Sequence, residues 1–149
     1  MDLPLLYRDS HYVFVHKPAG MLVHRSRLAQ DQVFVMQTLR DQLGARVYTV
    51  HRLDRATSGV LAFGLDPDAA QRLAGEFAHR RIAKRYLAVV RGWLDPDGTI
   101  DHPVADDDGP ARPAAAVTHY RRLSQIELPV PVDRYPTARY SLACVEPLT

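Results

Sequence analysis

Cysteine is almost missing from these 149 residues: Cys144 stands alone, so no internal disulfide can brace the fold. Its apolar neighbours read as a strand, with Cys144 as a buried core thiol. No apolar run reaches the length that a signal peptide or membrane helix needs, which points to a cytoplasmic chain without membrane contact. The seven histidines, His11, His16, His24, His51, His79, His102 and His119, lack the close pairing of a zinc site, so no metal is expected. Lysine is scarce as well: only Lys17 and Lys84 accompany seventeen arginines. The net charge of +2 falls well short of a strongly basic nucleic-acid binder.

What the chain does have is a one-domain length, so a single domain over 1–149 is expected. At this size a compact chain buries about 68–70% of its unfolded surface. The arginine fork suits phosphates and stacks on bases, and Arg25, Arg27, Arg52, Arg55, Arg80, Arg81 and Arg85 lie near the motifs below. A GC-rich genome gives the same excess, and composition does not separate the two readings. Asp106-Asp107-Asp108 with Gly109, Pro110 and Pro113 reads as a solvated loop.

The most informative stretch is His51-Arg52-Leu53-Asp54-Arg55-Ala56-Thr57-Ser58-Gly59. It sets one carboxylate among two arginines and two hydroxyls, next to residues that favour turns, and the apolar run Val60-Leu61-Ala62-Phe63-Gly64-Leu65 then re-enters the core. An Asp held by guanidinium groups and hydroxyl donors has its ionised form favoured, which makes Asp54 a candidate nucleophile. From spacing alone the same residues also read as a surface ion pair worth about 0–1 kcal/mol.

Periodicity supplies the frame. Tyr12-Val13-Phe14-Val15-His16 is β-rich and stops at the turn Lys17-Pro18-Ala19-Gly20. Asp31 is expected to cap a helix running to Gly44, with Val35, Leu39 and Leu43 on its buried face. Asp66-Pro67 opens a second helix that carries Ala69, Ala70, Leu73, Ala74 and Phe77 inward and runs to Arg80. From Ile82 the chain reads as extended, Tyr86, Ala88 and Val90 alternating with Arg85, Leu87 and Val89. A turn is expected at Asp95-Pro96-Asp97-Gly98, then strands over 117–126 and 139–145, separated by a loop bearing Pro129, Pro131 and Pro136. Strands outnumber helices and form no regular βαβ units, so the expected class is α+β, a largely antiparallel sheet with packed helices.

His51-Arg52-Leu53-Asp54 followed by Thr57-Ser58-Gly59 resembles the active-site motif of the RluA-type pseudouridine synthases. Lys17-Pro18-Ala19-Gly20 resembles that family's first motif, and Lys84-Arg85-Tyr86-Leu87-Ala88-Val89-Val90-Arg91-Gly92 its second, in the family's order. Leu22-Val23-His24-Arg25-Ser26, Thr118-His119-Tyr120-Arg121, Arg134-Tyr135-Pro136-Thr137 and Arg139-Tyr140-Ser141-Leu142 resemble the branch that modifies uridine sixty-five of transfer RNA. The resemblance implies a mixed sheet with a central catalytic cleft and the isomerisation of uridine to pseudouridine in tRNA without a cofactor. Asp54 would then be the catalytic nucleophile. Arg52 would fill the gap left by a flipped base, Tyr86 would stack on the uracil and assist its deprotonation, and Lys84 would neutralise a phosphate or a carboxylate.

The sequence departs from that pattern at one point. After Val145-Glu146-Pro147-Leu148-Thr149 the family continues into Gly-Arg-x-His-Gln-Leu-Arg, whose last arginine pairs with the catalytic Asp. The chain is therefore expected to be a catalytic domain lacking its C-terminal part, with little activity alone. Members of the family are monomers, whereas an incomplete sheet would self-associate. The alternatives are a ribosomal RNA target, an RNA-binding chain without catalysis, and, more remotely, a carboxylate-dependent hydrolase, which usually needs a second acid that the motif lacks.

Overall fold

In the computed structural model residues 2–24, 33–105 and 113–149 are described, and the chain divides into two compact units, Met1–Arg81 and Ile82–Thr149. The first holds β1 (Leu5–Arg8), β2 (Tyr12–Lys17), β3 (Tyr48–Thr49) and β4 (Gly59–Gly64), an antiparallel sheet in the order β1-β2-β4-β3. The β2 alternation turns Val13 and Val15 inward, and its register sets them across from Phe63 and Leu61 of β4. All four are fully buried. Burying such a side chain is worth about 1.5–3 kcal/mol, so this cross-strand square is the centre of the unit.

Helix α1 (Val35–Leu43) brings Val35 and Leu39 into the same core and ends at Gly44, whose φ of 61° is the left-handed cap expected there. Its start differs from the sequence expectation. Phe34 occupies the N-cap with no side-chain bond, and Val35 and Met36 donate their backbone N–H groups to the carbonyls of Leu22 and Val23, both at 3.0 Å. A neighbouring segment thus satisfies the first turn, and Asp31 lies outside the described residues. Helix α2 (Pro67–Ala78) begins as expected, with the Asp66 carboxylate accepting from the Ala69 N–H at 2.7 Å. It stops two residues short of Arg80, with His79 as its C-cap. The helix meets β4 at Gly64, where an added Cβ would sit 2.7 Å from the backbone nitrogen and the Cβ of Ala70.

The second unit is a sheet of β5 (Tyr86–Arg91), β6 (Asp97–Asp101), β7 (Val117–Leu128) and β8 (Ala138–Pro147), in the order β5-β8-β7-β6 with every pair antiparallel. The turn expected at Asp95–Gly98 is shorter than its residues suggested, since β6 already starts at Asp97. Gly98 pairs with Tyr120, and an added Cβ there would meet that tyrosine's hydroxyl at 2.7 Å. Within this unit only Ala138, Ser141 and Ala143 are buried among the described residues, whereas Leu87 and Val89 are each 71% exposed. Cys144 lies in β8 as expected, but half-buried rather than in the core, because the strand's alternation turns Ser141 and Ala143 inward instead. Two antiparallel sheets with two helices confirm the α+β class. Among the described residues no helix is long and apolar enough to cross a membrane.

Candidate active site

The motif loop leaves β3 and returns as β4, and it keeps a period of two on the way. His51 and Leu53 turn inward while Arg52 and Asp54 face solvent. The His51 ring stacks on Phe77 of α2, centroids 4.4 Å apart, and its Nε2 accepts the Ala62 N–H at 3.0 Å. Burial pushes the His51 pKa below the ordinary histidine value, in keeping with a neutral acceptor. The loop is thereby pinned to both α2 and β4 three residues before its carboxylate. Asp54 itself opens a turn closed by the Thr57 N–H on the Asp54 carbonyl at 3.1 Å.

The Asp54 side chain is 81% exposed, and Arg52 Nη2 lies 3.8 Å from its Oδ1. Among the described residues neither the Thr57 nor the Ser58 hydroxyl bonds to it, contrary to the expectation of hydroxyl donors; Thr57 serves the turn through its backbone instead. A carboxylate so placed is open to a substrate and held by the geometry of its loop.

Much of that geometry comes from Lys17, a motif residue to which the sequence alone gives no role. Lys17 has no exposed area, and its Nζ donates to the carbonyls of Pro18 at 3.0 Å, Met21 at 2.6 Å and Arg55 at 3.2 Å. Arg55 returns the contact through its Nε on the Gly20 carbonyl at 3.1 Å, and the Gly20 N–H reaches the Arg55 carbonyl at 2.7 Å. The ammonium thus ties the first motif to the residue after Asp54. Burial lowers the Lys17 pKa, and the Asp54 charge opposes that shift, so the carboxylate compensates part of the desolvation of the cation. A signal was present in the sequence: Val13, Val15 and Lys17 share one β face, which directs Lys17 to the side on which the two valines are buried.

Lys84 and Tyr86 belong to the second unit. Lys84 precedes β5 and donates from Nζ to the Thr149 carbonyl at 3.0 Å. Tyr86 opens β5, half-buried and paired with Val145. Arg85, on the opposite side of the strand, makes an ion pair with Glu146 at 2.8 Å. A groove of about 690 Å³ in the first unit is lined by Tyr12, Phe14, Arg72, Leu73, His79 and others, and contains none of the motif residues. Asp54 lies outside that groove, in an open setting. No cluster of three or more metal-ligating side chains occurs among the described residues.

Comparison with known proteins agrees with the motif reading. Residues 11–149 match the family described as RNA pseudouridylate synthase. The chain is 52% identical to tRNA pseudouridine synthase C of Salmonella typhi, over 99% of its own length and 60% of that protein's, and 48% identical to its Yersinia pestis counterpart, over 99% and 61%. It thus spans about 60% of the length of these relatives. Among solved structures, human RNA Pseudouridylate Synthase Domain Containing 1 superposes with a TM-score of 0.77 at 23% identity, over 99% of this chain and 60% of that one. Human RNA Pseudouridylate Synthase Domain Containing 4 gives 0.72 at 24% identity. At such identities these two structures speak for the fold alone, while the motifs and the match over residues 11–149 carry the assignment: the chain belongs to the RNA pseudouridylate synthase family.

Proposed function

We propose that this chain carries the nucleophile of a tRNA pseudouridine synthase, with Asp54 attacking the target uridine. The observation that carries the reading is an exposed carboxylate on a turn braced from behind by a fully buried lysine. In the reaction the N1–C1′ bond breaks and a C5–C1′ bond forms, while the C5 proton leaves and N1 ends protonated. There is no net redox change, so no cofactor is required. Asp54 serves either by attacking the ribose, as carboxylates do in retaining glycosidases, or by adding to the uracil ring.

Arg52, beside Asp54, is suited to occupy the space that a flipped nucleotide vacates, a step that costs a few kcal/mol of unstacking. Tyr86 would stack on the extruded uracil and help remove the C5 proton, and Lys84 would face a phosphate or a carboxylate. The two units would act as one cytoplasmic catalytic domain without metal or membrane. The relatives' names favour tRNA over ribosomal RNA. Tritium release from tRNA labelled at uridine C5 tests the reading, on this chain and on a version extended through the Gly-Arg-x-His-Gln-Leu-Arg stretch, with a ribosomal RNA fragment in parallel. Release from the tRNA alone supports it, release from the ribosomal fragment alone moves the target, and binding of tRNA with no release by either version reduces the chain to an RNA-binding role.

A further inference from the structure

The chain has a single tryptophan, and the second unit displays it at the surface: Trp93 is 46% exposed. Its loop is not loose. The fully buried Ser141 hydroxyl donates to the Gly92 carbonyl at 2.8 Å and accepts the Leu94 N–H at 3.0 Å, so both neighbours of Trp93 hang from one side chain. The Gly92 N–H is fixed to the Arg139 carbonyl at 2.7 Å, and the Leu94 carbonyl accepts from Arg122 at 2.6 Å. An apolar ring set so firmly against water costs little ordering entropy when something stacks on it.

Arg139 lies over one face of the ring, its guanidinium carbon 5.5 Å from the indole centroid. Glu127 holds it by Nε alone, at 3.0 Å, and the same carboxylate oxygen is also bonded by the Thr137 hydroxyl at 2.6 Å. The two terminal nitrogens of Arg139 make no bond among the described residues. An indole with a guanidinium over one face is a pairing that takes an unpaired base by stacking and its phosphate by hydrogen bonds. We propose that Trp93 and Arg139 form an RNA contact of their own, on which an unpaired base of the tRNA substrate stacks. This rests on the function proposed above and extends it to a contact that the Asp54 motif does not include.

With only one tryptophan in the chain, intrinsic fluorescence reads the contact directly. An unmodified tRNA transcript and a short oligouridine should quench Trp93 saturably and shield it from acrylamide, and a blunt RNA duplex should do neither. Trp93→Ala should weaken tRNA binding on filters by about tenfold, and Trp93→Phe should recover most of the loss. Arg139→Gln should lower the affinity and flatten its dependence on salt. Tight tRNA binding with unchanged Trp93 emission would overturn the proposal, as would emission that follows protein concentration rather than RNA. Should Trp93→Ala not fold, the wild-type titration and Trp93→Phe still decide. Quenching by tRNA without tritium release would leave the contact standing and remove the catalytic reading; release without quenching would do the reverse.

Discussion

At the scale of single residues, the open setting of Asp54 separates chemistry from stability. In a version extended through the Gly-Arg-x-His-Gln-Leu-Arg stretch, Asp54→Asn is expected to abolish isomerisation while changing stability by no more than about 0.5 kcal/mol, because the side chain is largely solvated and the turn is closed by its backbone. Turnover within tenfold of the parent in a tritium-release assay would remove Asp54 from the nucleophile role. Lys17 should behave in the opposite way. Lys17→Met keeps the length and apolar stem but leaves three carbonyls facing a thioether, and one unsatisfied buried acceptor costs about 1–3 kcal/mol. Denaturant unfolding should show a clear loss of stability, and activity in the extended version should fall as the Arg55 carbonyl keeps only the Gly20 N–H. Unchanged stability would mean that water reaches the site and replaces the ammonium.

At the scale of elements, the motif loop depends on how α2 sits on β4. Gly64→Ala would drive a methyl group into backbone atoms of Ala70, which cannot rotate away. A cost of about 1–3 kcal/mol is expected, with the helix displaced from β4 and with it the Phe77 ring on which His51 stacks. A melting temperature equal to the parent's would show that α2 can shift freely. The same junction makes stability depend on pH. His51 has a lowered pKa in the folded state, so as pH falls below about 6.5 the unfolded chain takes up the proton first. Its contribution is therefore complete above that value and is lost on acidification. Melting curves between pH 7 and pH 5 should fall more steeply for the parent than for His51→Asn; equal slopes would place the acid sensitivity elsewhere.

At the scale of the whole chain, burial is uneven. The first unit has a core of fully buried Val, Leu and Phe, whereas in the second only two alanines and Ser141 are buried among the described residues. Amide exchange should accordingly be slowest in β2 and β4 and faster by orders of magnitude in β5 and β6, which lie at the edges of their sheet. Uniform protection across both sheets would show that the second unit gains its stability from contacts other than its own core. The β5 edge also carries the exposed Leu87 and Val89. Concentration-dependent association measured by light scattering should diminish in Leu87→Lys, and association that ignores this change would use another surface.

Local chemistry is what the sequence determined by itself. Asp66-Pro67 capped α2, the alternation in Tyr12–His16 and Tyr86–Val90 gave strands, Gly44 ended α1, and the motif around Asp54 named the family, because each of these depends on neighbours within a few residues. Tertiary structure decided the rest. The start of α1 is set by the carbonyls of Leu22 and Val23, the strand at Asp97–Gly98 by pairing with Arg121 and Tyr120 of β7, and the display of Trp93 by Ser141, forty-eight residues further along the chain. Lys17 is the clearest instance. Its buried place follows from strand period, but its work, joining two motifs through the Arg55 carbonyl, exists only once β2 and the loop before β4 are side by side.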